Sequence, residues 1–305
     1  MQEKEWKLAD ASLYYEIETK QNKESVQITR FQGLASQAEV PELIEGLPVT
    51  AIARKAFLSK KNLRRIWLPD TLEEIGDWAF AYCDHLSEIT LPRRAVRFGK
   101  AVFMECKELR RISAREQLHE ASAPAFPAEL MAAAVTAMDA AYLLDMEAAG
   151  LEEWLGKWDV RLSSVLHTSD QEGFSRQILC GEEDYGSTDL AAYMSGRRKE
   201  KVRLCFLRLL HDQNLSPGLR RELEEYLRAH TKGQKDEEAW QVILHEYGSD
   251  REYYQLFASI PCVTEENLND ILTDIGGEYP EMKAYFLRCR EEKSGVEDFF
   301  AGLEL

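Results

Sequence analysis

The stretch IGDWAFAYCDHLSEITLP, residues 75–92, has blurred counterparts 23 residues before and 23 residues after it. At this spacing Ala56-Phe57, Ala79-Phe80 and Val102-Phe103 fall into one column. Leu63, Leu86 and Leu109 form a second, and Ile66, Ile89 and Ile112 a third. Leu68 aligns with Leu91, Pro69 with Pro92, and Cys83 with Cys106, where the preceding copy has Lys60. Ile75-Gly76 aligns with Phe98-Gly99 and, more loosely, with Ile52-Ala53. A unit this short cannot bury its own apolar face, so successive units have to stack and share one core. No other feature limits the possible folds so strongly.

A period of about 20–29 residues with Leu and Ile at these intervals is the pattern of a leucine-rich repeat solenoid. Each unit contributes a short strand around LxxIxLP, its Leu and Ile pointing inward and its proline closing the strand. The chain then returns through LxxIGxxAFxxC, where Gly is expected to permit a tight bend and Ala-Phe to fill the interior. The wording LPDTLEEIGDWAFAYCDHLSEITLP resembles the BspA-like leucine-rich repeat family. VPELIEGLPVTAIARKAF resembles that family's lead-in to its repeats, and YYEIETKQNKESVQITRFQG its β-rich N-terminal cap. The resemblance spans residues 12–116 and implies a short solenoid of three or four units behind such a cap. Family members are often secreted or surface proteins with long arrays. Here MQEKEWKLADASLYYEIET lacks the apolar core of a signal peptide, so a cytoplasmic location is expected.

Charge divides the chain. Of its 38 Lys/Arg and 54 Asp/Glu, residues 1–119 carry 19 and 18, a net of +1. Residues 120–305 carry the remaining 19 and 36, a net of −17. The shift coincides with the proline-containing segment ISAREQLHEASAPAFPAE, which places a boundary at 119/120. So acidic a second part repels nucleic acid and favours solubility. The longest apolar run, AAAVTAMDAAYLLDM, is too short to span a bilayer. Neither nucleic acid nor membrane is expected as a partner.

Beyond residue 128 the hydrophobic period becomes helical. In KEKVRLCFLRLLHD, Val202, Cys205, Phe206, Leu209 and Leu210 keep the spacing of an amphipathic helix. Its other face carries Arg197, Arg198, Lys199, Lys201, Arg203 and Arg208, which the surrounding acids are expected to pair. Ser216 before Pro217 marks one helix start, Asp236 another and Thr264 a third; Gly276 marks a stop and Pro280 a new start. Short helices in antiparallel succession suggest an α-solenoid. EYYQLFA and EMKAYFL resemble the second helix of an ankyrin-type pair, although the Thr-Pro-Leu-His element is missing. The expected fold class is therefore α+β and multidomain: a short leucine-rich repeat solenoid with a β-rich cap (1–119), then an acidic, all-α, solenoid-like domain (120–305).

Catalytic motifs are not evident: the chain has no GxSxG, HExxH, P-loop or GxGxxG. Its six cysteines are far apart and lack zinc-finger spacing, which points to reduced, buried thiols and to no metal or cofactor. Cys83 and Cys106 sit on one rung of adjacent coils, where stacked free thiols are preferred to a disulfide in a reducing compartment. Strand alternation places Arg65, Glu88 and Arg111 in one outward row, and Trp67, Thr90 and Ser113 in a second. An aromatic residue among arginines is the composition of a binding hot spot. Arg64, Arg93, Arg94, Arg97 and Arg110 are expected to form a basic fringe around it. The reading adopted is a non-catalytic protein-interaction module that binds a protein or peptide ligand through these rows. Two alternatives stand beside it: an enzyme with an acidic site at Glu182–Asp184 in CGEEDYGSTD, and a structural or regulatory subunit that binds through the acidic helical surface.

Overall fold

A computed structural model describes residues 3–20, 22–92, 96–114, 126–144, 150–174 and 189–301, with side chains to residue 290. These fall into two compact units, 1–162 and 163–305. The packing division thus lies beyond residue 119, where charge and repeat wording change, and the first helices belong with the repeats.

The first unit begins with the antiparallel strands β1 (Lys4–Lys7), β2 (Ala11–Lys20) and β3 (Lys23–Gly33). They form the expected β-rich cap. β3 then pairs in parallel with β6 (Leu47–Ile52), so the cap continues directly into the repeats. The short β4 (Gln37–Glu39) and β5 (Leu43–Ile44) lie between them in sequence. The repeats supply β7 (Arg65–Trp67), β8 (Glu74–Ile75), β9 (Glu88–Leu91), β10 (Arg97–Phe98) and β11 (Arg111–Ala114). One sheet runs β1-β2-β3-β6-β8-β10, with β5 on β6; the other runs β11-β9-β7-β4 and is wholly parallel. About four coils of a β-solenoid result.

The core is a set of ladders. Phe31, Phe57, Phe80 and Phe103 stack with ring centroids 5.1, 4.9 and 5.9 Å apart, so the cap supplies the first ring of a column the repeats continue. Ile66, Ile89 and Ile112 are buried behind the parallel sheet, as are Leu63, Leu86 and Leu109. Cys83 and Cys106 are free and buried. Each thiol donates to a main-chain carbonyl of the preceding coil, Cys83 to Phe57 at 3.0 Å and Cys106 to Phe80 at 3.1 Å. Burial pushes their pKa values up to about 11 and about 12.

The repeat glycines have a different role from the expected one. Neither Gly76 nor Gly99 has positive φ. Instead, a Cβ on Gly76 would lie 2.6 Å from the Arg54 nitrogen, and one on Gly99 2.5 Å from the Asp77 nitrogen. Glycine is required here because the main chain of the preceding coil passes too close for any side chain. Within the repeats the positive-φ positions are not glycines: Lys55, Trp78 and Ala101 (φ 62, 53 and 51°) and Ser59, Tyr82 and Glu105 (φ 57, 59 and 57°). They too recur every 23 residues.

Two helices complete this unit, α1 (Ala128–Thr136) and most of α2 (Leu151–His167), with a 3-10 turn at Ala141–Leu144 between them. α1 packs on β11, and its Leu130, Met131 and Ala134 are buried. Trp154 and Trp158 of α2 are fully buried, and their indole N–H groups donate to the carbonyls of Leu143 and Leu130 at 2.7 and 2.9 Å. Large rings buried with their polar atom satisfied are strong anchors.

The second unit contains α3 (Leu190–Leu210), α4 (Pro217–Ala229), α5 (Glu238–Glu246), α6 (Arg251–Ser259), α7 (Glu265–Ile275) and α8 (Pro280–Ala301). Ser216 caps α4 ahead of Pro217. Thr264 and Asn267 form a reciprocal capping box at α7, which ends at Gly276 with φ 55°. Asp236 departs from expectation: α5 begins at Glu238, no side chain caps it, and Asp236 pairs with Arg198. Most cations of α3 find partners within the unit, although the buried Nε of Arg197 makes no hydrogen bond. Arg203 binds Glu246 through two hydrogen bonds, Lys201 binds Asp170 at 2.7 Å, and the fully buried Arg208 donates to the His211 and Gln213 carbonyls. Among the described residues, no helix is long and apolar enough to cross a membrane.

Candidate binding face of the repeat sheet

The six outward positions come together on the four-stranded parallel sheet. The strand register places Gln37, Arg65, Glu88 and Arg111 side by side, and Glu39, Trp67, Thr90 and Ser113 in the second row. β4 therefore adds Gln37 and Glu39, which sequence reasoning missed because β4 lies outside the repeated wording. Its only signal was the buried pair that flanks Glu39, Ala38 and Val40.

The first row is open and alternates in charge. Arg65 and Arg111 each keep 53% of their side-chain surface. Glu88 lies between them, 3.6 Å from Arg65, and Arg111 pairs with Glu129 at the start of α1. Pairs this exposed contribute at most about 1 kcal/mol of stability, so the groups stay available to exchange partners. In the second row, Trp67 and Ser113 are half-buried. Thr90 is buried and its hydroxyl lies 3.3 Å from that of Ser113, so this part of the row works as a rung rather than an open contact.

The basic fringe is smaller than expected. Arg64 and Arg110 are exposed beside the sheet. Arg97 belongs to β10 in the other sheet and pairs with Glu74 at 2.9 Å, so it is not part of this face. Arg93 and Arg94 lie outside the described residues, as does the acidic segment Glu182–Asp184. A further aromatic–cation group, not foreseen from sequence, has Arg54 and Lys55 over the ring of Trp78 at 4.5 and 5.3 Å.

Residues 39–137 match the family profile of the BspA type leucine rich repeat region, in six copies. No curated protein matches the chain. Among solved structures, a leucine rich repeat protein of T. pallidum is 32% identical over 32% of this chain and 46% of its own length, with a TM-score of 0.30. A leucine rich cell surface protein from Faecalibacterium prausnitzii is 21% identical over 37% of this chain and 30% of its own, with a TM-score of 0.28. A leucine-rich repeat protein from Bacteroides capillosus is 24% identical over 35% of this chain and 78% of its own, with a TM-score of 0.29. The chain thus spans less than half the length of the first two.

Proposed function

We propose that this chain, which carries a BspA-type leucine-rich repeat region over residues 39–137, is a non-catalytic binding protein. Its ligand is a protein or peptide held on the outward face of the parallel sheet by Arg65, Trp67, Glu88, Arg111 and Ser113, with Thr90 bracing the second row. The observation that carries this reading is the first row. Two exposed guanidinium groups flank a carboxylate on a parallel sheet, with a half-buried indole two residues along the strand from Arg65. Arg and Trp dominate binding energy at such faces because they combine large area with directed hydrogen bonds.

The test is affinity capture from cell extract with the intact chain and with the variant Trp67→Ala/Arg111→Glu, both checked for fold by thermal melting. Arg111→Glu also sets a second carboxylate against Glu129, so the melting control is essential. Loss of a captured protein by the folded variant supports the face; undiminished capture by it overturns the assignment.

A further inference from the structure

Independently of the repeat sheet, the second unit contains a cluster of ionisable groups that neither motif nor spacing announced. His230 follows α4, Asp236 lies in the connection to α5, and Glu238 is the first residue of α5. One ligand-type atom from each lies within 4.8 Å of the other two. Glu238 is 4% exposed. Its Oε2 and the Nδ1 of His230 are both buried, make no hydrogen bond, and face each other at 3.8 Å. A buried carboxylate oxygen and a buried imidazole nitrogen without partners are costly unless something else binds them.

The rest of the cluster orients these atoms and leaves them uncompensated. Arg198 of α3 takes the opposite oxygen of Glu238, Nε to Oε1 at 2.9 Å, and Oδ1 of Asp236 at 3.3 Å from Nη2. It also lies 3.6 Å from Asp170, which Lys201 binds at 2.7 Å. Three carboxylates (170, 236, 238) against two cations (198, 201) leave one negative charge. Holding one carboxylate oxygen by an outer hydrogen bond while the other points inward is how metal-binding carboxylates are commonly fixed.

We propose that Nδ1 of His230, a carboxylate oxygen of Asp236 and Oε2 of Glu238 form a three-ligand site for a divalent first-row metal ion, with Zn2+ the ion their donor set fits. One nitrogen and two carboxylate oxygens are ordinary zinc donors at about 2.0–2.2 Å, which in a tetrahedron puts donors roughly 3.4 Å apart. The His230–Glu238 separation is within about half an ångström of that. Three protein ligands leave the fourth position to water or to a ligand, as in open zinc sites rather than closed structural ones. Arg198 then positions the two carboxylates and is not displaced.

Calorimetric titration of Zn2+ into the metal-free full chain tests this, together with the visible spectrum of the Co2+-loaded protein. One ion per chain is expected, with an absorption pattern of tetrahedral nitrogen–oxygen ligation. His230→Asn and Glu238→Gln, folded by circular dichroism, are each expected to weaken binding by at least about tenfold. His245→Asn, outside the cluster, should leave it unchanged. Absence of Zn2+ binding overturns the site and leaves Arg198 and Lys201 as the counter-ions of these carboxylates. So do a thiolate-to-cobalt charge-transfer band, or binding undiminished in both folded variants. Should either variant misfold, the Co2+ spectrum of the unaltered chain decides.

Discussion

Gly76 and Gly156 are the same residue type under opposite constraints. A Cβ at 76 would meet the Arg54 main chain at 2.6 Å, and main chain cannot rotate away. Gly76→Ala is expected to destabilise by about 1–3 kcal/mol, read as a lower urea midpoint. Gly156, inside α2, faces open space, so Gly156→Ala is expected to stabilise by roughly 0.5–1 kcal/mol through helix propensity. The cysteine columns behave as hydrogen-bonding core residues. With pKa values pushed up to about 11 and about 12, Cys83 and Cys106 hold almost no thiolate at pH 8. In the native chain both are expected to resist iodoacetamide and to react after unfolding; peptide mapping by mass spectrometry reads this directly. The glycine and cysteine columns were visible in the sequence as columns. Their reasons were not, because the neighbour each one meets is 22 to 26 residues away.

At the scale of elements, the phenylalanine ladder couples the coils. Phe80 stacks on both Phe57 and Phe103, and Phe80→Ala removes two ring contacts and opens a cavity. A loss of about 3–5 kcal/mol is expected in chemical denaturation, larger than that for any surface position on the same coil. The end of α7 nearest the chain start depends on a different device. Thr264 and Asn267 satisfy each other's main-chain N–H, and Thr264→Ala is expected to cost about 1 kcal/mol. Helix starts of this kind are legible in sequence because the signal lies within four residues. The start of α5 was misplaced for the same reason in reverse: Asp236 has the right type and position for a cap, but Arg198 on another helix takes its carboxylate. Strictly local alternation likewise marks the six alternate positions of the repeat strands, and all six lie on one sheet, although Thr90 is buried there.

Across the whole molecule, 54 acidic residues against 38 basic ones make acid stability depend on which carboxylates are held charged. Asp274 is one. Burial alone would raise its pKa, but hydrogen bonds from Lys232 and the Trp240 indole outweigh this and hold it below the usual carboxylate range. A pKa lowered by folding contributes stability that is complete above the unfolded value, about pH 4, and is lost as pH falls through the folded value. Asp274→Asn is therefore expected to lower the melting temperature at pH 7 and to flatten its decline below pH 4.

The 23-residue period, the alternation of the repeat strands and the helix signals at Ser216, Thr264, Gly276 and Pro280 follow from the sequence alone, since each depends on residues placed regularly or close together along the chain. Tertiary structure decided the rest. It determined that α1 and most of α2 belong with the repeats, that Arg97 lies in the other sheet, and that Arg198, Lys201, Arg203 and Arg208 of α3 find their partners internally. It also brought His230, Asp236 and Glu238 together. Periodicity specifies which face of a strand or helix is buried. Which charge meets which depends on how separate elements pack, and no local pattern encodes that.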